Sequence, residues 1–138
     1  MRGERLSLDT NILVYFADAD AGPRHAKARE IVLQAARQDT VLPLQALAEF
    51  YHTVTRKQMV SPAAARQQVR DWTTVFPVVA AQPSTLDRAM AGVEQQGLSF
   101  WGAMLWATVR EAGVTLLLSE DFQDGVVIEG VRIRNPFR

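Results

Sequence analysis

Carboxylate and amide side chains follow two apolar segments of this sequence and occur once in an apolar helical segment, a pattern that could bind a metal ion. Asp9 and Asn11 come after "LSL", and Asp121 and Asp124 come after "TLLLS". Glu49 is flanked by apolar residues in "LAEFY", where a charge is unusual unless it is needed. Carboxylates gathered in one crevice repel one another unless a cation neutralises them, and oxygen ligands without histidine or cysteine favour Mg²⁺ or Mn²⁺.

Each acid taken singly also has a structural interpretation. Asp9 could serve only as the N-cap of the helix that follows it. Asp121 and Asp124 could be ordinary turn residues in a loop that ends on glycine. A shared site is favoured because ligands of open parallel α/β sheets bind beyond the carboxyl ends of the strands, which is where these residues fall.

The elements that must position these residues alternate between strands and helices along the chain. Buried strands are predicted at 5–9, 40–44, 77–80 and 114–119, with an alternating strand at the sheet edge at 131–135. Helical periodicity is found at 22–38, 44–57, 61–76 and 83–97. This alternation predicts an α/β fold, a three-layer α/β/α sandwich around a mostly parallel central sheet of four to five strands. We expect one domain over 1–138.

Composition limits the class of protein without selecting a partner. Fifteen basic residues balance fifteen acidic ones, so the overall charge does not attract nucleic acid, and an RNA substrate would need a local patch or a bound cation. There is no cysteine, which excludes disulfides and thiolate metal sites. The apolar run "ILVYFA" is too short for a membrane span or a signal peptide. We therefore expect a cytoplasmic protein with no membrane partner.

A further predicted helix, "LSFWGAMLWATV" at 98–109, has an unusual residue in its first turn. Ser99 is suited to cap this helix, and apolar residues then recur at helical spacing. Gly102 nevertheless stands in the first turn, where glycine is about 1 kcal/mol less favourable than alanine.

Five segments in this order resemble the PIN-domain family and, within it, the VapC-like toxins of toxin–antitoxin pairs. The resemblance runs over almost the whole chain, on "LDTNILVYF" (8–16), "LAEFY" (47–51), "LSFWGAMLWATV" (98–109), "LLLSEDFQDG" (116–125) and "VRIRNPF" (131–137). It implies a PIN-like fold and a Mg²⁺- or Mn²⁺-dependent ribonuclease. It also implies an RNA substrate, a small antitoxin partner and a homodimer.

Carried over position by position, the resemblance implies a role for each acid. Asp9 and Asp121 would be the main metal ligands. Glu49 would be the acidic partner of a metal-bound water, and Asp124 an accessory acid. Two polar residues would hold these groups by hydrogen bonds: Asn11 and Ser119.

The sequence departs from the family pattern at one position, because Gly102 stands where the family carries an aspartate, "SFWD" rather than "SFWG". Glycine can neither bind a metal ion nor support the cap. We therefore expect weak metal binding and low or absent nuclease activity. Aspartate and glycine codons differ by one base, so Gly102 is either natural or a change selected when a harmful nuclease is expressed, and the source gene decides which.

Two further functions compete with the ribonuclease. One is a non-catalytic PIN-like protein that binds its antitoxin or RNA without cleaving it. The other is a phosphate-accepting signalling domain, which we set aside because such domains need a lysine after a late strand and Lys27 and Lys57 lie on early helices. Candidates for phosphate contact are Arg24, Arg56, Lys57, Arg132 and Arg134, each of which could equally be a solvated surface charge.

Overall fold

Six strands and six helices make up the computed structural model, which describes residues 3–138. In chain order they are β1 (Leu6–Leu8), α1 (Thr10–Ala17), α2 (Pro23–Ala35), β2 (Leu42–Pro43), α3 (Leu44–Arg56), α4 (Pro62–Val75), β3 (Val78–Val79), α5 (Pro83–Gln96), α6 (Phe100–Glu111), β4 (Leu116–Leu118), β5 (Val127–Ile128) and β6 (Val131–Arg134).

The main sheet has four strands in the order β1-β4-β6-β5. β1 runs parallel to β4, with Leu8 opposite Leu118, and β4 runs parallel to β6. β5 completes the sheet as an antiparallel partner of β6. The predicted α/β sandwich with a mostly parallel sheet is therefore confirmed.

The predicted position of the last strand is wrong. The segment 131–135 was expected at the sheet edge, but β6 lies between β4 and β5. The two-residue strand β5 carries too few positions to show an alternating pattern, and Val127 and Ile128 turn back into β6 through Glu129 and Gly130, both of which have positive φ angles.

A second, two-stranded parallel sheet continues the first. β2 pairs with β3, and Thr40 forms a parallel bridge to Leu6 of β1 just before β2 begins. Ser7 strengthens this connection because its hydroxyl donates to the Val41 carbonyl oxygen over 2.7 Å. The bridge brings α3, which starts directly after β2, close to the carboxyl end of β1.

Local sequence signals explain where several helices begin. Ser99 caps α6 by accepting a hydrogen bond from the Gly102 N–H over 3.3 Å, as predicted. Helix α5 has Gln82 as its N-cap, and the Thr85 hydroxyl accepts from the Gln82 N–H over 2.8 Å. Pro83 then takes the first helical position, where its missing N–H has no partner to lose.

The helices cover the main sheet and close a single apolar core. Helix α1 packs against α2 and α3, and α5 packs against α6. The largest side chains with no more than 2% exposure are Trp106, Phe50, Leu8, Ile12, Leu13, Leu42, Leu47, Leu105, Leu117 and Ile133. Within residues 3–138, no helix combines the length and apolar character that crossing a membrane requires.

Gly92 of α5 lies against the Trp106 ring of α6, so enlarging it should destabilise the fold. A Cβ atom at this position would lie 2.9 Å from Cζ3 of the fully buried Trp106. We expect Gly92→Val to lower the free energy of unfolding by about 2 kcal/mol, the usual cost of overpacking a core. Urea unfolding checks this, with Gln95→Val on the exposed side of α5 as the control, which should change stability by less than about 0.5 kcal/mol.

Candidate functional site

Asp9 lies at the junction of β1 and α1 and is 6% exposed. Its backbone N–H donates to the Leu118 carbonyl oxygen over 3.0 Å, which ties it to the carboxyl end of β4. Its Oδ1 accepts from the Thr10 N–H at 2.6 Å, and its Oδ2 accepts from the Ser119 hydroxyl at 2.6 Å. The capping interaction considered from the sequence is therefore present, but it occupies one carboxylate oxygen only.

The environment of Asp9 disfavours its charge. Burial raises the pKa of Asp9 from 3.8 to about 6, and the nearby carboxylates Asp121 and Glu49 add to the increase. Hydrogen bonds from Ser119 and Thr10 act in the opposite direction and do not cancel it. A buried carboxylate whose charge is disfavoured in this way would gain from a cation beside it.

Glu49 is brought to the same place by α3. Thr10 donates from its hydroxyl to Oε1 of Glu49 over 2.6 Å, so this one residue binds both Asp9, through its N–H, and Glu49. Gln45, one turn earlier on α3, lies with its Nε2 3.4 Å from the other oxygen of Glu49. The apolar residues around Glu49 in the sequence, Leu47 and Phe50, point into the core instead, because they fall on the opposite side of the helix.

The three acids Asp9, Glu49 and Asp121 line one cavity of about 590 Å³, which we call the acidic cleft. Its other lining residues are Gln45, Gln96, Gly97, Leu98, Ser99, Trp101, Gly102, Leu105, Phe122, Gln123, Val126 and Ile128. The cleft lies beyond the carboxyl ends of β1 and β4, where open parallel sheets bind ligands. The structure thus brings together three of the four predicted acids.

The two predicted supporting residues form hydrogen bonds within this group. Ser119 is fully buried, and besides donating to Asp9 it accepts from the Asp121 N–H at 3.0 Å. Asn11 lies with its Nδ2 3.4 Å from the Ser119 hydroxyl oxygen, and its Oδ1 accepts from the Glu120 N–H at 3.4 Å. Both residues therefore link α1 to the loop after β4.

Asp124 lies outside the lining of the acidic cleft. Its Oδ1 accepts a hydrogen bond from the Asn135 N–H over 2.7 Å, which fastens the loop after β4 to the end of β6. This contact joins residues 11 positions apart and so differs from the local turn role considered from the sequence.

Position 102 faces the acidic cleft from the first turn of α6. A Cβ atom on Gly102 would lie 3.5 Å from Cζ of Phe122, in ordinary contact, and 2.8 Å from the Ser99 hydroxyl oxygen. The Ser99 side chain would have to shift to admit any side chain here, which a serine can do by rotation about χ1. A carboxylate at this position would share the cleft with the three acids.

The donor set fits a weak divalent-cation site rather than a closed one. Within residues 3–138, no three acidic or histidine side chains are grouped closely enough to hold a metal ion. Mg²⁺ nevertheless often uses one or two protein carboxylates and keeps several waters. The buried Asp9 with a neighbouring carboxylate meets this smaller requirement.

A second groove, of about 660 Å³, opens on the other side of Glu49 and Asp121. Its lining includes the exposed His52 of α3 and Lys57, the residue that caps the end of that helix. Among the basic residues predicted to contact phosphate, Lys57 therefore borders the acids. Arg132 instead lies near the amino end of the sheet, where it forms an ion pair with Glu4.

One cluster beside the site was not anticipated from the sequence. The Tyr15 hydroxyl donates to Glu120, and this hydrogen bond raises the pKa of Tyr15. Arg24 pairs with the same carboxylate over 3.2 Å and lies over the rings of Tyr15 and Phe137. Tyr15 lies in α1, Arg24 in α2, Glu120 in the loop after β4 and Phe137 in the segment after β6. No local sequence pattern could have predicted that these four residues meet.

Removing the Ser119 hydroxyl tests how strongly Asp9 depends on it. We expect Ser119→Ala to cost about 2 kcal/mol of unfolding free energy at pH 7, because a hydrogen bond to a charged group is lost in the interior. Ser7→Ala is the matched control, since Ser7 is equally buried but bonds to a neutral carbonyl, and it should cost about 1 kcal/mol. Equal losses in chemical unfolding of the two variants would contradict a special role for Ser119.

Comparisons with known proteins identify the family and the fold of this chain. The PIN domain family model matches residues 6–123. The structure is similar to the Mycobacterium tuberculosis VapC20 toxin, described as cleaving the sarcin–ricin loop, with a TM-score of 0.67 and 20% identity over 84% of this chain and 91% of that one. It is also similar to a toxin–antitoxin complex from Klebsiella pneumoniae, with a TM-score of 0.68 and 21% identity over 95% and 97% of the two chains.

A third similar structure is the DNA-bound VapBC of Salmonella typhimurium, with a TM-score of 0.70 and 14% identity over 97% of this chain and 99% of that one. At these identities the likeness concerns the fold. The comparison with curated protein sequences gives no significant match. The family model covers most of the chain, including Asp9, Glu49 and Asp121, and so this protein belongs to the PIN-domain family.

Proposed function

We propose that this protein is a VapC-type toxin of a toxin–antitoxin pair, a Mg²⁺- or Mn²⁺-dependent endoribonuclease weakened by Gly102. The observation that carries the proposal is that buried Asp9 shares one cleft with Glu49 and Asp121 beyond the carboxyl ends of β1 and β4. Proteins of this family generally depend on a divalent metal ion. The similar structures are toxins or toxin–antitoxin complexes, which supports the biological context.

In this proposal Asp9 and Asp121 hold the cation. When bound, the cation supplies Lewis-acid stabilisation for charge that develops on the phosphodiester oxygens. Glu49 orients the attacking water and accepts its proton, and the Thr10 hydroxyl keeps that carboxylate in place. Ser119 and Asn11 are positioning residues that fix Asp9 and the loop carrying Asp121.

The proposed partners are an RNA substrate, a small antitoxin and a second copy of the chain, with the cytoplasm as the compartment. The antitoxin is supported by the neighbouring structures from Klebsiella pneumoniae and Salmonella typhimurium, which contain toxin–antitoxin assemblies. We also propose Asp124 as an accessory acid that acts through the loop it fastens to β6.

Calorimetric titration of the metal-free protein with Mn²⁺, followed by RNA cleavage with and without Mn²⁺, tests this function. We expect weak saturable binding and slow cleavage that requires the metal. The double variant Asp9→Asn, Asp121→Asn should lose both. The control is Asp39→Asn, whose exposed carboxylate pairs with Arg5 far from the cleft and should change neither. Mn²⁺ binding that survives in the double variant would overturn the proposed site.

A non-catalytic PIN-like protein is the second candidate. Gly102 and the lack of a three-acid group within residues 3–138 favour it, because both reduce the capacity to hold a metal ion. Such a protein would bind its antitoxin or RNA without cleaving it. Saturable Mn²⁺ binding with no cleavage, even after prolonged incubation, would favour this candidate over the enzyme.

A further inference from the structure

The lining of the acidic cleft also includes amides and aromatic rings that the proposed reaction leaves unused. Gln96, at the end of α5, and Gln123, in the loop after β4, both line the cleft and are exposed. Neither side chain forms a hydrogen bond to another described residue. Trp101 and Phe122 line the same cleft. Free amides and aromatic rings in one cavity are suited to a flat polar ligand.

The charge of the cleft excludes some ligands. Its charged lining residues are the carboxylates Asp9, Glu49 and Asp121, and no lysine, arginine or histidine lines it among residues 3–138. A phosphate group inside the cleft would therefore meet like charge without a basic partner. A nucleobase is uncharged, and it offers hydrogen-bond donors and acceptors along its edge that a glutamine amide can match.

Gly102 leaves space in the acidic cleft beside the Phe122 ring. In its place a Cβ atom would lie 3.5 Å from Cζ and 3.8 Å from Cε2 of Phe122, so any side chain here would occupy the space beside the ring. With glycine, that part of the wall is backbone alone. The volume of about 590 Å³ is in the range of small-molecule sites, which is ample for one base.

The second groove provides a place for the phosphates. It shares Glu49 and Asp121 with the acidic cleft, and its lining also includes Asp18, His52 and Lys57, of which Lys57 supplies a cation that the acidic cleft lacks. A nucleotide could therefore place its base on the amide side of the acids and a backbone phosphate beside Lys57. The phosphodiester would then cross the acids between the two cavities.

We propose that the acidic cleft is a nucleobase subsite for single-stranded RNA, in which Gln96 and Gln123 recognise the base edge and Phe122 and Trp101 stack on its face. The proposal rests on the proposed function for its RNA substrate. In this proposal Gln96 and Gln123, which lie outside the acidic group, determine which base is preferred next to the cleaved bond. A single strand is required because the base must leave its helix to enter the cleft.

Nucleoside titrations of the whole protein in EDTA test the subsite without metal or cleavage. Trp101 is 62% exposed, whereas Trp72 and Trp106 are 4% and 0% exposed, so quenching of tryptophan fluorescence by a ligand in the cleft reports on Trp101. Uridine, cytidine, adenosine and guanosine serve as probes, with ribose 5-phosphate as a probe that has no base. We expect saturable quenching by at least one nucleoside at roughly millimolar concentration and none by ribose 5-phosphate.

Variants of the lining residues test where the nucleoside binds. Gln96→Ala with Gln123→Ala should weaken the preferred nucleoside about tenfold. Gln95→Ala is the matched control, because Gln95 is exposed on the same helix but does not line the cleft. Trp101→Phe should abolish the quenching while nucleoside binding persists in calorimetry.

Three results would overturn the subsite: no saturable signal from any nucleoside, equal binding of ribose 5-phosphate, or unchanged affinity in the double glutamine variant. Failure of the ribonuclease proposal is separately visible. If the protein binds nucleosides through Gln96 and Gln123 but never cleaves RNA with Mn²⁺, the subsite proposal is supported and the ribonuclease proposal is contradicted. Metal-dependent cleavage without nucleoside binding would support the ribonuclease proposal and contradict the subsite.

Discussion

Gly102→Asp should increase Mn²⁺-dependent RNA cleavage by about 10–100-fold, the range by which residues supporting a metal site usually alter affinity or activity. Position 102 lines the acidic cleft together with Asp9, Glu49 and Asp121, so a carboxylate there would add an oxygen donor to the two proposed ligands, Asp9 and Asp121. Mn²⁺ affinity should rise in the same proportion. Initial rates of cleavage at several Mn²⁺ concentrations measure both effects.

Gly102→Asn is the control for this gain, since it has the same shape as aspartate without the charge. Both variants must displace the Ser99 hydroxyl, and both replace a helical glycine, so they share any effect on helix stability. The expected order of cleavage rates is aspartate well above asparagine, with asparagine no better than glycine. Equal rates for the two variants, or an aspartate variant as slow as the parent, would remove position 102 from the chemistry.

Asp9→Asn should stabilise the metal-free protein at pH 7 while abolishing its response to Mn²⁺. The pKa of Asp9 is raised from 3.8 to about 6, which corresponds to about 3 kcal/mol of destabilisation when the group is ionised. Asparagine avoids this penalty. It keeps one oxygen for the Thr10 N–H but cannot accept from the Ser119 hydroxyl as the carboxylate does, so we expect a net gain of about 1–2 kcal/mol.

The pH dependence of stability follows from the raised pKa of Asp9. Because the folded pKa of Asp9 lies above the unfolded one, the penalty is absent below about pH 3.8, develops as pH rises, and is complete above about pH 6. The parent protein without metal should therefore lose stability over this interval relative to Asp9→Asn. Urea unfolding from pH 4 to pH 7, with Asp39→Asn as the exposed-carboxylate control, measures the difference. Parallel stability curves for Asp9→Asn and the parent would contradict it.

Much of the fold follows from local sequence patterns. The buried strands around Leu8 and Leu118, and the helices begun by Ser61 and Ser99, are where periodicity and capping predict them. The position of β6 was mispredicted because an alternating strand is typical of an edge, yet a two-residue strand covers it. Such a short strand is specified by the turn that returns it to β6, not by its own pattern.

The sequence by itself determined the residue types available for chemistry and the strand ends after which they occur. Carboxylates after parallel strands must share one edge of the sheet, so Asp9 and Asp121 could be placed together in advance. Only the tertiary structure decided which neighbours each acid has: Thr10 holds Glu49, Ser119 joins Asp9 to the loop of Asp121, and Asp124 is taken by the backbone of Asn135. These contacts join residues from 11 to 110 positions apart, except within the loop itself, and contacts over such distances are set by packing of the whole chain.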